Sequence, residues 1–119
     1  MSYVDGYILP LPTSNVDTYR ELAKVACQTW MDHGALGYFE YMADDVPEGE
    51  QTSFPKAVDL KDDEVVIFAF VNYASREHRD EVMAKVMADE RMKFMETGEV
   101  PFDGQRMIWG GFKSFISSE

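Results

Sequence analysis

Cysteine is almost missing from this chain. Cys27 is the only one, so no internal disulfide can form and the fold must rest on its core. Such usage suits a reducing, cytoplasmic setting. Long apolar runs are missing too. The longest, Val65 to Val71, has seven residues, against the roughly 20 that a membrane-spanning helix needs. The first apolar stretch has no basic flank and is interrupted by Asp5, which argues against a signal peptide. Positive charge is scarce, with 11 basic residues against 22 acidic ones and a net charge of −11. Nucleic-acid binders need clustered lysine and arginine, so neither nucleic acid nor membrane is expected as a partner. The acidity reads as solubility. Imidazole is limited to His33 and His78, neither with a second ligand at helical spacing, so no metal is expected. Neither GxGxxG nor GxxxxGK[ST] occurs, and no cofactor is expected.

What is present reads as a single α+β domain spanning 1–119. Tyr3 to Leu9 predicts a first strand, ended by Pro10-Leu11-Pro12. Ser14 or Asn15 then caps a helix whose apolar stripe is Val16, Tyr19, Leu22, Ala23, Ala26 and Trp30. His33 lies in its last turn and Gly34 ends it. Ala35 to Ala43 predicts a second strand, followed by a polar loop and a short strand or ribbon at Ala57-Val58. Asp59, Asp62, Asp63 and Glu64 read as a solvated turn before the apolar strand Val65–Val71. Ser75 caps a second helix with the stripe Val82, Met83, Val86 and Met87, and Asp89 restarts it until Gly98. Arg106 to Ile116 predicts the last strand. The order is β-α-β-β-α-β, the ferredoxin-like arrangement with a four-stranded antiparallel sheet.

Two helices shield one face of such a sheet. A solvated second face would alternate apolar and polar residues. Neither Val65–Val71 nor Met107–Trp109 alternates, so something covers that face. The simplest candidate is the same sheet of a second chain, giving a homodimeric two-subunit barrel. The other is the loop at 44–58 folding over it alone. The tail strand, apolar on both sides with Gly110 and Gly111 mid-run, is expected in the middle of the sheet.

Several side chains are candidates for a ligand pocket. Arg106, where the chain enters its last strand, could bind an anion or clamp Asp103 or Asp45 structurally. Asp44 and Asp45 adjoin at a strand end, as an acid–base pair or as turn-capping residues. Trp30, Trp109, Tyr7, Tyr38 and Phe68 could line an aromatic cavity, though aromatics are core by default. Cys27, mid-helix, reads as a buried small hydrophobe. His33 suits the helix dipole, and His78 reads as exposed.

Tyr3-Val4-Asp5-Gly6-Tyr7, His33-Gly34-Ala35-Leu36, Asp44-Asp45-Val46-Pro47, Asp89-Glu90-Arg91-Met92 and the run from Pro101 to Phe112 together resemble the YbaA-like bacterial family of domains of unknown function. The resemblance implies a dimeric α+β barrel, in a superfamily that includes cofactor-independent monooxygenases, haem-binding enzymes and small-ligand binders. It assigns no catalytic residue. The expectation is a small molecule bound between helices and sheet. The alternatives are a monooxygenase-like or isomerase-like enzyme and a non-catalytic structural or interaction protein with a solid barrel.

Overall fold

A computed structural model of the chain describes residues 2–118. Strand β1 (Tyr3–Pro12) leads through a 3-10 turn (Thr13–Asn15) into helix α1 (Val16–Asp32) and strand β2 (Gly37–Met42). A short helix α2 (Phe54–Ala57) precedes strand β3 (Glu64–Tyr73) and helix α3 (Arg76–Met87). The chain then forms a 3-10 turn (Glu90–Met92), the short helix α4 (Phe94–Thr97), another 3-10 turn (Gly104–Arg106) and strand β4 (Ile108–Lys113). The strands form one antiparallel sheet in the order β2-β3-β1-β4. This is the ferredoxin-like α+β architecture expected from the element order.

Alternation along β1 sorts its residues between two faces. Tyr3, Asp5, Tyr7, Leu9 and Leu11 face the helices, where the core consists of Trp30 and Ala26 from α1, Val82 and Val86 from α3, and Val71 and Tyr73 from β3. Val4, Gly6 and Ile8 share the other face with Phe68, Phe70, Ile108 and Phe112. Phe39 and Tyr41 of β2 complete this outer face. The molecule is only 20 Å thick along its shortest axis, which is one sheet plus one helix layer. Phe54 of α2 packs edge-on against Phe68. Phe39, Tyr41, Ile108 and Phe112 nonetheless stay exposed. The loop at 44–58 therefore does not cover the outer face by itself.

Ser75 caps α3 by accepting the His78 N–H at 3.0 Å, Asp89 caps the following turn through Arg91 N–H at 2.9 Å, and Gly98 ends α4 in the left-handed region at φ 73°. Other expectations need correction. β1 continues through Pro10 and Pro12, because β4 pairs with it only as far as Ile8; beyond that point one side of β1 is a free edge, where proline is tolerated. Asn15 does not cap α1, and its side chain instead donates to the Pro101 carbonyl at 2.8 Å. Ala57-Val58 is not a strand: Ser53 accepts the Lys56 N–H at 3.1 Å and Pro55 sits in the first turn, so the segment starts a helix. Met87 is exposed rather than part of the α3 stripe.

The largest correction concerns the tail. Arg106 lies in a turn, not a strand, because Asp103 accepts the Gln105 N–H at 3.0 Å and caps that turn. β4 is an edge strand with β1 as its single neighbour. On its outer side Ile108 and Phe112 are exposed. Gly111 does leave room: a Cβ there would fall 2.1 Å from the Tyr3 hydroxyl.

Candidate functional site

The inner face of the sheet does not close completely against the helices. A cavity of about 660 Å³ lies between the sheet, α1 and the segment from Met92 to Met107. From β1 and α1 its wall takes Tyr7, Tyr19 and Trp30; from β2, Tyr38 and Glu40; from the returning segment, Phe94, Phe102 and Asp103. The aromatic walls follow from packing. Tyr19 and Phe102 meet edge to face at 5.9 Å, and Trp30 and Tyr38 lie tilted to each other at 5.7 Å.

The polar centre of the cavity is Glu40. Tyr38 donates its hydroxyl to Glu40 Oε2 at 2.7 Å, and the Tyr19 hydroxyl donates to Glu40 Oε1. Burial, reinforced by the Glu40 carboxylate, pushes both phenols far above the ordinary tyrosine range, so both hold their protons at any physiological pH. Burial likewise raises Tyr7 and the half-buried Cys27 thiol. None of Glu40, Tyr19 and Tyr38 was singled out as polar chemistry by sequence reasoning. The available signal was a glutamate on the inward side of an alternating strand, between Tyr38 and Met42, facing the α1 stripe.

The structure brings Tyr7, Trp30 and Asp103 to this cavity. Trp30 is buried and donates its indole N–H to the Tyr73 hydroxyl at 3.0 Å. Trp109 stacks on Tyr7 at 6.2 Å but lies beside the cavity, largely exposed on the edge strand. Asp44 and Asp45 are exposed in the loop after β2 and line no cavity described here. Among the described residues no three histidine, cysteine, aspartate or glutamate side chains gather as a metal site. No described helix is long and apolar enough to cross a membrane.

Arg106 is tied up by protein groups. Its guanidinium grips Glu64 with two bonds, of 2.8 and 2.6 Å, and donates to Asp103 Oδ2 at 3.0 Å and to the Asp59 carbonyl at 2.9 Å. Asp45 is not its partner. Glu64, expected in a solvated turn, has a side chain only 4% exposed, and Arg106 holds its carboxyl below the usual range. Arg106→Met is expected to lower stability, because Glu64, whose side chain is largely covered, loses both guanidinium bonds. Adding Glu64→Met should recover most of that loss, whereas Asp103→Asn should recover little. Chemical denaturation of the two double variants checks this, and stronger coupling to Asp103 would contradict the geometry.

A second ion pair sits inside the core. Asp5 is fully buried, with Oδ1 accepting from Arg79 at 2.7 Å and Oδ2 making no hydrogen bond, although the Tyr73 hydroxyl is a neighbour. Arg79 also packs over the Tyr3 ring at 5.2 Å and donates to Asp80 at 2.9 Å. A third cluster fastens the end of α1 to the returning segment. His33 Nε2 and Asp89 Oδ2 are 2.8 Å apart, and Arg91 bridges Asp89 and Asp32, each at 2.8 Å. His33 thus has a specific partner beyond the helix dipole. His78 is half-buried rather than exposed, accepting the Ala74 N–H at 3.0 Å on Nδ1.

Comparison with known proteins agrees with this architecture. The chain is 46% identical over 117 residues to the uncharacterised protein YbaA of Escherichia coli K12, covering 98% of each chain, and equally to YbaA of Shigella flexneri. Among solved structures, Rv0793 of Mycobacterium tuberculosis superposes with a TM-score of 0.61 over 100% of both chains at 9% identity. A NIPSNAP family protein of Agrobacterium tumefaciens C58 gives 0.54, over 96% of this chain and 86% of that one, at 18% identity. At such identities the two structures speak for the fold alone. The sequence profile of a protein family of unknown function, DUF1428, matches residues 2–104, and with the YbaA relationship this places the chain as a member of that family.

Proposed function

We propose that this protein is a cytoplasmic homodimer that binds a small, largely apolar organic molecule in the cavity beneath α1. The observation that carries this reading is the cavity itself. About 660 Å³ of concave space, partly open to solvent, lies between the sheet, α1 and the returning segment, within the size range of small-molecule sites. Its walls are aromatic and thioether side chains with a few convergent polar atoms, the usual composition of a small-molecule site. Homodimerisation is supported by the outer face, where Phe39, Tyr41, Phe68, Ile108 and Phe112 lie exposed together. Such a contiguous patch is unusual on a monomeric surface.

Thermal shift against a panel of small metabolites tests the binding reading. A ligand at about 100 times its Kd should raise stability by about 2.7 kcal/mol. Ala23→Trp, which projects into the cavity from α1, should fold and lose that response. A wild-type protein unmoved by the whole panel, or a filled variant that still responds, would count against the cavity as the site.

A further inference from the structure

The charge of the cavity wall is one-sided. Its carboxylates are Glu40 and Asp103, and no lysine, arginine or histidine lines it. Asp103 is committed, with Oδ2 accepting from Arg106 Nε and Oδ1 from the Gln105 N–H, each at 3.0 Å. Glu40 is different. Each of its oxygens accepts one phenol, Oε1 from Tyr19 and Oε2 from Tyr38, whereas an ionised carboxylate offers about four acceptor sites. One site on each oxygen remains for a donor. Both phenol protons are already spent on Glu40, so these hydroxyls have no proton left to offer an anionic or carbonyl ligand. Arg106 stands behind Asp103 and is taken up by Glu64, Asp103 and the Asp59 carbonyl. Arg20 and Lys24 line a smaller neighbouring groove of about 300 Å³ that shares Glu40. Both are exposed and paired within α1, to Asp17 at 2.7 Å and Glu21 at 3.1 Å.

Resting on the cavity reading above, we propose that the ligand is a protonated organic amine, with its N–H groups on Glu40 and its apolar body among Tyr7, Trp30 and Phe102. An anion entering this space would meet the Glu40 carboxylate, and Arg106, behind the wall, is already spent on Glu64 and Asp103, so its desolvation would be poorly offset. A neutral alcohol could donate one uncharged hydrogen bond to Glu40, and a ligand without donors would leave its free acceptor sites unused. An ammonium group satisfies those sites with charge-assisted hydrogen bonds. The aromatic rings around it add attraction to a cation. The net charge of −11 favours the approach of cations in the same direction.

The test uses three probes with the same aromatic body and different head groups: 2-phenylethylamine, 2-phenylethanol and phenylacetate, titrated calorimetrically at pH 7 into the full-length protein. The amine should bind about tenfold or more tightly than the alcohol, with phenylacetate weakest. Glu40→Gln, which keeps the side-chain size, should abolish the preference of amine over alcohol. Should that variant fold poorly, Tyr19→Phe serves instead: freeing a further acceptor site on Glu40, it should bind the amine at least as tightly as wild type. Ala23→Trp should bind none of the three. Equal binding of amine and alcohol, or a preference that survives Glu40→Gln, would overturn the amine assignment and leave the cavity reading intact. Amine binding that survives Ala23→Trp would place it on the acidic surface and overturn the assignment. No binding by any probe would overturn it as well, and if the metabolite panel is also silent, the cavity reading falls with it.

Discussion

Phe68→Asp is expected to yield a folded monomer, and Ile67→Asp, one residue earlier, no folded protein at all. The two positions are neighbours on β3 but project to opposite faces of the sheet. Ile67 is 4% exposed and packs with Leu9 and Leu11 beneath α1, whereas Phe68 is 42% exposed on the open face. An unpaired charge in the core costs several kcal/mol, a large share of the roughly 5–15 kcal/mol that holds a domain of this size together. On the outer face the same carboxylate stays in water in one protomer. In the dimer it would be buried against apolar side chains, so association is what fails. A stable interface covers about 800 Å² per partner, and the aromatic patch from Phe39 to Phe112 lies across all four strands. Light scattering at micromolar concentration, with circular dichroism as the fold control, checks both variants. A dimeric Phe68→Asp protein, or a wild type that scatters as a monomer, would contradict the assembly.

Arg79→Met is expected to be among the most damaging single changes on α3. It strands Asp5, fully buried and paired with Arg79 at 2.7 Å. Removing one partner of such a pair costs about 3–5 kcal/mol, a fall on the order of 15 °C in melting temperature. The pH dependence has a distinctive sign. Burial raises the Asp5 carboxyl above its ordinary value, and Arg79 opposes that rise. A carboxyl raised in the folded state contributes stability that is greatest in acid and is lost as pH climbs through its folded value. Without Arg79 the rise is larger, so the variant should regain stability on mild acidification. Glu64 and Asp89 behave in the opposite sense, because arginine partners lower them and their contributions disappear as pH falls. Thermal melts of wild type and variant from neutral pH downward separate the two behaviours. The double variant Asp5→Leu with Arg79→Met should recover most of the loss, and a variant that melts like wild type at every pH would show that the pair carries little.

Much of the framework was legible from local chemistry. The α1 stripe, the Ser75 and Asp89 caps and the stop at Gly98 each depend on residues a few positions apart, and each was found where expected. Three failures share one cause, which is that the partner is distant in sequence. Arg106 closes on Glu64 across 42 residues, Asp5 on Arg79 across 74, and Tyr19 on Glu40 across 21. No spacing rule reports such pairs. The tail strand failed differently. Its lack of alternation suggested mid-sheet, but an apolar edge strand and a strand buried in mid-sheet leave the same pattern in a sequence. Only the strand order, with β4 at the edge, separates them. For the cavity, Trp30 and Tyr7 were named as aromatic wall, while Glu40 was passed over because one acid in a polar-flanked strand looks solvated.

The Asp5–Arg79 pair has one more consequence, for how the sheet chooses its alignment during folding. β3 is apolar on both faces from Val65 to Val71, so sliding β1 past it by one residue would exchange one greasy surface for another. Where alternation is weak, register is weakly specified. β1 carries a single charge among its ten residues. A one-residue slip would send Asp5 to the outer face, away from α3, and bring Gly6 beneath Arg79 instead. It would also carry the Tyr3 ring off Gly111, where a side chain would collide with it. A carboxylate and a missing side chain thus distinguish the native alignment from alternatives that hydrophobicity alone would accept.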